Sequence, residues 1–218
     1  MDAVVTCAHI APNARERGLM KLNRALLALL LSTIALPVAA QCNVVLGGGG
    51  AAGYGQIAYA TLEQSTEKKL EPRIVSASFS CTGPTLFAIT LEDDRLASNS
   101  KAASPQTFGL GKASSGANIG HFIVTTSSPT IDGGAGAMLV SSDTTAWSNV
   151  GATVAWVRKN STPATDIYRA FGTSGVVAAA STASVELVIE AVIQGRDALR
   201  LTEPAELDGN AILEIVYL

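Results

Sequence analysis

Between Ser184 and Ile193 the chain alternates. Val185, Leu187, Ile189, Ala191 and Ile193 fall on one side, with Glu186 and Glu190 on the other. A period of two is the pattern of a strand with one buried face. The pattern recurs along the chain. In Arg73–Cys81, Val75, Ala77, Phe79 and Cys81 alternate with Ser76, Ser78 and Ser80. Leu86–Leu91 repeats it with Phe87, Ile89 and Leu91. Shorter strand candidates are Asn118–Val124, Ala137–Ser141 and Thr153–Val157, the last placing Val154 and Trp156 on one face. A final strand runs from Ala211 to Leu218. Turn residues separate these segments at Glu92–Arg95, Asp132–Gly134 and Asp208–Gly209. The one helical-looking piece is Thr61–Lys69, which Pro72 would end. Ala97–Ala117 reads as a long connection with an edge strand near Phe108. Short strands at steady spacing predict an all-β sandwich.

The start of the chain follows a different rule. From Met20, the basic Lys21 and Arg24 precede an apolar run from Ala25 to Leu36, then Pro37 and the small residues Val38, Ala39 and Ala40. This is the three-part layout of a secretory signal, with cleavage expected after Ala40. The run is shorter than the about 20 residues a bilayer span needs. Lipid attachment at Cys42 is disfavoured, because Gln41 stands where such sites want a small residue. Residues 1–19 carry no periodic pattern and read as an over-extended start. The expected organisation is therefore 1–19 over-extended start, 20–40 signal peptide, and 41–218 one sandwich domain.

Cleavage leaves 178 of the 218 residues. It removes four basic and two acidic groups from 15 and 18, leaving 11 and 16 and a net charge of −5. That sign argues against nucleic acid or an anionic membrane surface as partner, and no membrane insertion of the mature chain is expected. Two of the three cysteines remain, Cys42 and Cys81. An exported chain with two cysteines is expected to pair them; the alternative is two free buried thiols.

Chemistry is sparse. Gly48-x-Gly50-x-x-Gly53 matches the dinucleotide-binding spacing. That fingerprint needs glycines opening a helix in a βαβ unit and an acidic residue closing the second strand. Here the next strand ends in Cys81-Thr82, so the glycines are expected to serve an irregular crossing after a short first strand. His121 is the one histidine after residue 40; it lies in an apolar strand and no G-x-S-x-G motif accompanies it. Structural zinc wants four Cys or His ligands. The acids Asp93, Asp94 and Asp132 match no calcium-loop spacing. No catalytic residue, metal or cofactor is expected.

Seven short stretches, in this order, carry a resemblance: Tyr54-Gly-Gln-Ile57, Cys81-Thr-Gly-Pro-Thr85, Glu92-Asp-Asp-Arg95, Phe108-Gly-Leu-Gly111, Asn118-Ile-Gly-His121, Ser142-Asp143 to Trp147, and Leu207-Asp-Gly209 to Tyr217-Leu218. With the leader and the terminal strand, the chain resembles pilin subunits of the chaperone–usher pathway. More closely, it is similar to a proteobacterial fimbrial-like group, domain-of-unknown-function family 1120. The resemblance implies an immunoglobulin-like, pilin-type sandwich lacking its last strand, with an apolar groove and an unpaired edge. Such subunits borrow a strand, first from a periplasmic chaperone and later, after passage through the usher, from a neighbouring pilus subunit. Ala211, Leu213, Ile215 and Tyr217 would line the groove, and the Leu218 carboxylate would anchor the chaperone. A polymerising pilin also carries a long donor segment before its first cysteine. Cys42 is only the second residue after the expected cut, so this subunit is expected to accept a strand without passing one on. The expected role is that of a non-enzymatic adhesion or interaction protein, in the periplasm and then on the cell surface or fimbrium. The alternative is a self-sufficient secreted sandwich that binds a ligand such as a glycan, with Trp147, Trp156 and Tyr168 as a candidate sugar platform, although core packing is the favoured expectation for the two tryptophans.

Overall fold

The computed structural model describes residues 2–7, 41–55, 57, 59–151, 153–200, 204 and 206–218, with backbone alone for 2–7 and Tyr59. The leader expected at 20–40 and its cleavage site lie outside the described residues. In chain order the strands are β1 Asp2–Cys7, β2 Cys42–Leu46, β3 Ala51–Gly53, β4 Lys68–Lys69, β5 Arg73–Thr85 and β6 Phe87–Asp93. Next come β7 Phe108–Gly109, β8 Gly120–Thr126, β9 Thr130–Ile131, β10 Gly134–Ala135 and β11 Ala137–Ser141. The series ends with β12 Ser148–Asn149, β13 Tyr168–Thr173, β14 Val176–Val177, β15 Ala180–Ile193 and β16 Asn210–Tyr217. One α-helical turn, Arg196–Leu199, lies between the last two strands.

Two sheets form. One runs β12-β11-β13-β6-β16-β1-β3, with β14 beside β13. The other runs β10-β9-β15-β5-β2, with β4 and β8 beside β15 and β7 beside β8. Among the described residues, the strand-to-strand ladders are antiparallel except β1 with β16. The alternations set which face turns inward. On β5, Val75, Ala77 and Phe79 are buried while the serines between them are exposed. On β15, Val185, Leu187, Ile189, Ala191 and Ile193 are all buried. Phe79 of one sheet meets Phe87 and Phe171 of the other, with ring centroids 5.5 and 5.3 Å away. These rings hold the two inner faces together.

The glycine loop does what its position suggested. Gly48, Gly49 and Gly50 take φ of 61°, 68° and 81°, a region L side chains rarely occupy. They carry the chain from β2 in one sheet to β3 in the other, and the residues after Gly50 form a strand, not a helix. Asp132–Gly133 joins β9 to β10, with positive φ at both residues, the two-residue hairpin turn that Asp-Gly favours.

Two local expectations differ from the structure. Thr61–Lys69 makes no α-helix: a 3-10 turn ends at Thr61, and Lys68–Lys69 joins the edge of β15, where Lys69 pairs with Glu190 at 2.6 Å. Nine residues without an apolar face cannot offset helix nucleation. Thr153–Val157 is not a strand. Its Trp156 is buried and donates its backbone N–H to Val124 across the core, while Val154 is exposed. Residues 2–7, set aside as an over-extended start, form β1 and belong to the same compact unit as the sandwich.

Candidate functional site

The terminal strand β16 is positioned by the turn before it. The Asp208 N–H donates to the Leu110 carbonyl, and the Asp208 carboxylate pairs with Arg95 at 3.4 Å. From there β16 runs antiparallel to β6, from Ala211 opposite Asp93 to Tyr217 opposite Phe87. Of the five residues expected at the chaperone or donor-strand interface, Ala211 and Leu213 are buried in the core and Ile215 is half-buried against it. Tyr217 is 51% exposed and Leu218 42% exposed. The Cys42 N–H donates to the Tyr217 hydroxyl at 2.8 Å, joining the end of β16 to the start of β2 in the opposite sheet. Cys42 itself is disulfide-bonded to Cys81, its direct partner across β2 and β5. On the other face of β16, Glu214 pairs with Lys159, and that hydrogen bond pushes the lysine pKa up.

The outer edge of β16 meets β1 in parallel, from Val4 opposite Asn210 to Cys7 opposite Leu213. The other edge of β1 meets β3 antiparallel, from Asp2 opposite Gly53 to Val4 opposite Ala51. Among the described residues β3 has no other sheet partner. Strand neighbours lie 4.7–4.9 Å apart, so β16 and β3 are separated by about 10 Å, the width of one inserted strand. The site is thus a slot in the first sheet, bordered by two strand edges and by the buried Ala52, Ala211 and Leu213. Beyond Leu213, the outer edge of β16 has no paired strand among the described residues.

A second feature lies near the last residue. Leu86, Trp147, Val176, Val177 and Leu218 line an open apolar cleft of about 400 Å³. Val176 follows the turn Ser174–Gly175, both at positive φ, a Ser-Gly signal that sequence reading can find. Trp156 packs in the core under the Arg169 guanidinium, as expected of a core tryptophan, so that of the candidate sugar platform Trp147 stands at the cleft. Asp143 shapes the turn that presents Trp147. Its carboxylate accepts the N–H of Thr145 at 2.9 Å and of Ala146 at 3.3 Å, and these bonds pull its pKa down to about 2. Trp147 in turn donates its indole N–H to the Thr144 carbonyl. A depressed carboxylate stabilises the fold above its unfolded pKa and loses that contribution as pH falls through the folded value. In a Trp156→Phe background, the Trp147 fluorescence is therefore expected to hold down to pH 3 and change as pH approaches about 2. Asp143→Asn is expected to abolish that acid transition.

The remaining ionisable groups have structural surroundings. His121 is buried in β8, its Nδ1 lies 3.0 Å from the Ser100 hydroxyl, and burial pulls its pKa down. Asp93, expected in a charged turn, is buried at the end of β6. Its carboxylate accepts the N–H groups of Arg95 and Gly109, while burial pushes its pKa up. Arg158 is buried and donates to the carbonyls of Ala102, Ser104 and Thr107, gathering the long connection expected at Ala97–Ala117. Among the described residues, no group of three or more His, Cys, Asp or Glu side chains could hold a metal ion. No helix among them is long and apolar enough to cross a membrane.

Sequence reasoning missed β1, the Tyr217–Cys42 bond and the cleft. The first had no periodic signal, and the second joins residues 175 apart in the chain. A search of curated proteins returns no match. Over residues 31–107 the chain matches the family model described as "Protein of unknown function (DUF1120)", the family that its motifs resemble.

Proposed function

We propose that the chain is exported, cleaved after Ala40, and serves as a non-enzymatic fimbrial-like subunit that accepts a β-strand from another polypeptide. A periplasmic chaperone would supply the first strand. After passage through the usher, a neighbouring pilus subunit would supply the next, at the cell surface or fimbrium. One observation carries the reading. The strand between β16 and β3 comes from residues 2–7, upstream of the expected cut, so a chain beginning at Gln41 lacks it. An empty slot leaves backbone N–H and C=O groups on both edges without a strand partner, beside the buried Ala52, Ala211 and Leu213. Such an edge is an aggregation hazard unless another chain pairs with it. Ile215, Tyr217 and Leu218 extend the edge beyond β1 and are the further contacts proposed for a longer donor. With Cys42 second in the cleaved chain, no segment remains to donate onward.

The test is co-purification from the periplasm of tagged protein co-expressed with a chaperone encoded beside it. The expected product is a one-to-one complex whose subunit begins at Gln41. Leu213→Lys, which puts a charge in the groove, is expected to reduce recovery of the complex at least about tenfold. A stable lone monomer with the same amino terminus would contradict the proposal. It would favour the second reading, a self-sufficient secreted sandwich that binds a ligand such as a glycan, for which the cleft beside Trp147 is the specific support.

A further inference from the structure

We propose that Gln41, once it begins the cleaved chain, closes on its own side chain to pyroglutamate, so that the exported protein carries a blocked and uncharged amino terminus. This rests on the cut after Ala40, which the proposed function includes, and adds a modification to it. Ring closure needs a free amine, a side chain able to turn back on it, and a backbone that tolerates the ring. The cut supplies the amine, and an α-amino pKa of about 7.7–8.0 leaves a reactive neutral fraction at neutral pH. The structure supplies the rest. Gln41 is exposed, and its side-chain amide has no hydrogen-bond partner among the described residues. Its backbone is held from one side. The Gln41 N–H donates to the Thr82 hydroxyl at 3.2 Å, and the Gln41 carbonyl accepts the Thr82 N–H at 3.0 Å. Cys42 is pinned further, by its disulfide to Cys81 and by the N–H it donates to Tyr217. Closure therefore turns only side-chain bonds of Gln41, and this proximity is what favours a unimolecular step. The amine nitrogen attacks the side-chain amide carbon. The bond from that carbon to the amide nitrogen breaks, and the nitrogen leaves as ammonia with the proton that the amine gives up. Thr82 is itself exposed, so its hydroxyl can swing aside for the ring. The carbonyl bond to Thr82 and the pairing of β2 lie outside the ring and stay. The ammonium charge is lost, and an aminopeptidase that needs a free amine can no longer trim towards Cys42.

The experiment uses the protein recovered from the periplasm, alone or with its chaperone, held at neutral pH and followed by mass spectrometry of the whole chain and of its first proteolytic fragment. The comparisons are a Gln41→Ala chain and a synthetic peptide of residues 41–47 carrying Cys42→Ser. The protein is expected to become lighter by one ammonia, at a rate comparable to that of the peptide, with the loss confined to the fragment that begins at Gln41. Stepwise amino-terminal degradation of the product is expected to yield no sequence. Gln41→Ala is expected to keep its mass and a free amine. A folded protein that begins at Gln41 and keeps its ammonia while the peptide loses it would overturn the proposal and leave the cut standing. A protein that begins at another residue would overturn the proposal together with the cut. Ring formation in a protein that captures no chaperone would remove the proposed function and leave the modification standing.

Discussion

Replacing Cys42 and Cys81 together with alanine is expected to destabilise the sandwich by about 4 kcal/mol. The disulfide closes a loop of 39 residues, and the chain-entropy account assigns a constraint of that size to a loop of that length. The effect should be at the upper end because of what the bond holds. Among the described residues β2 is the edge of its sheet and pairs only with β5. Through the Cys42 N–H it also reaches Tyr217 at the end of β16. Freeing β2 therefore loosens the start of the crossing to β3 and one contact between the sheets. For a domain with a total stability of the order of 5–15 kcal/mol, such a loss leaves a marginal fold. Equilibrium urea unfolding checks this. The variant should unfold at a lower midpoint, and reduction of the unmodified protein should produce a similar shift. An unchanged midpoint would show that β2 is held by its other contacts.

Phe79→Ala is expected to cost about 3–5 kcal/mol, the usual range for emptying a buried aromatic site. Phe79 is the member of the three-ring cluster that comes from the β5 sheet, facing Phe87 and Phe171 from the other. Its removal leaves a cavity where the sheets meet, and neither sheet can close it without shifting the long β5–β15 ladder. Phe108→Ala tests whether position matters: that ring stacks on Phe122 within its own sheet, so the loss should fall less on the contact between sheets. Thermal unfolding of both variants, followed by near-ultraviolet circular dichroism, distinguishes the two.

Much of the sandwich was legible because its long strands obey a simple period. β5 and β15 have one apolar and one polar face, and alternation marks which residues lie inside. Ala137–Ser141 was readable for the same reason, and the Asp-Gly turn through its backbone preference. The disulfide followed from counting. Trp156 is buried, as core packing of the tryptophans requires, but the strand expected at Thr153–Val157 does not form: its burial comes from a non-strand segment, where no period operates. The Glu- and Lys-rich stretch at 61–69 was ambiguous because its residues favour helix in isolation, and pairing with β15 overrides that preference. The candidate site was half legible. The alternation of Ala211, Leu213, Ile215 and Tyr217 marked the strand and its inner face, and Ala211 and Leu213 are buried as that face requires. What borders the strand was not legible. The pairing of β16 with residues 2–7 spans nearly the whole chain and depends on backbone groups, which are the same for every sequence. Tyr217 shows a further limit: its hydroxyl reaches the opposite sheet at the Cys42 N–H, as its inward position requires, yet at the end of the sheet the residue stays 51% exposed.

Hydrogen exchange on the chain 41–218, alone and with a strand-donating partner, reads the slot directly. The account predicts that the Asn210–Leu213 amides turned away from β6, together with those of Ala51–Gly53, exchange rapidly in the isolated protein and become protected when the partner binds. Slow exchange of both groups in an isolated monomer would contradict it, because the processed sandwich would then close that edge with its own backbone.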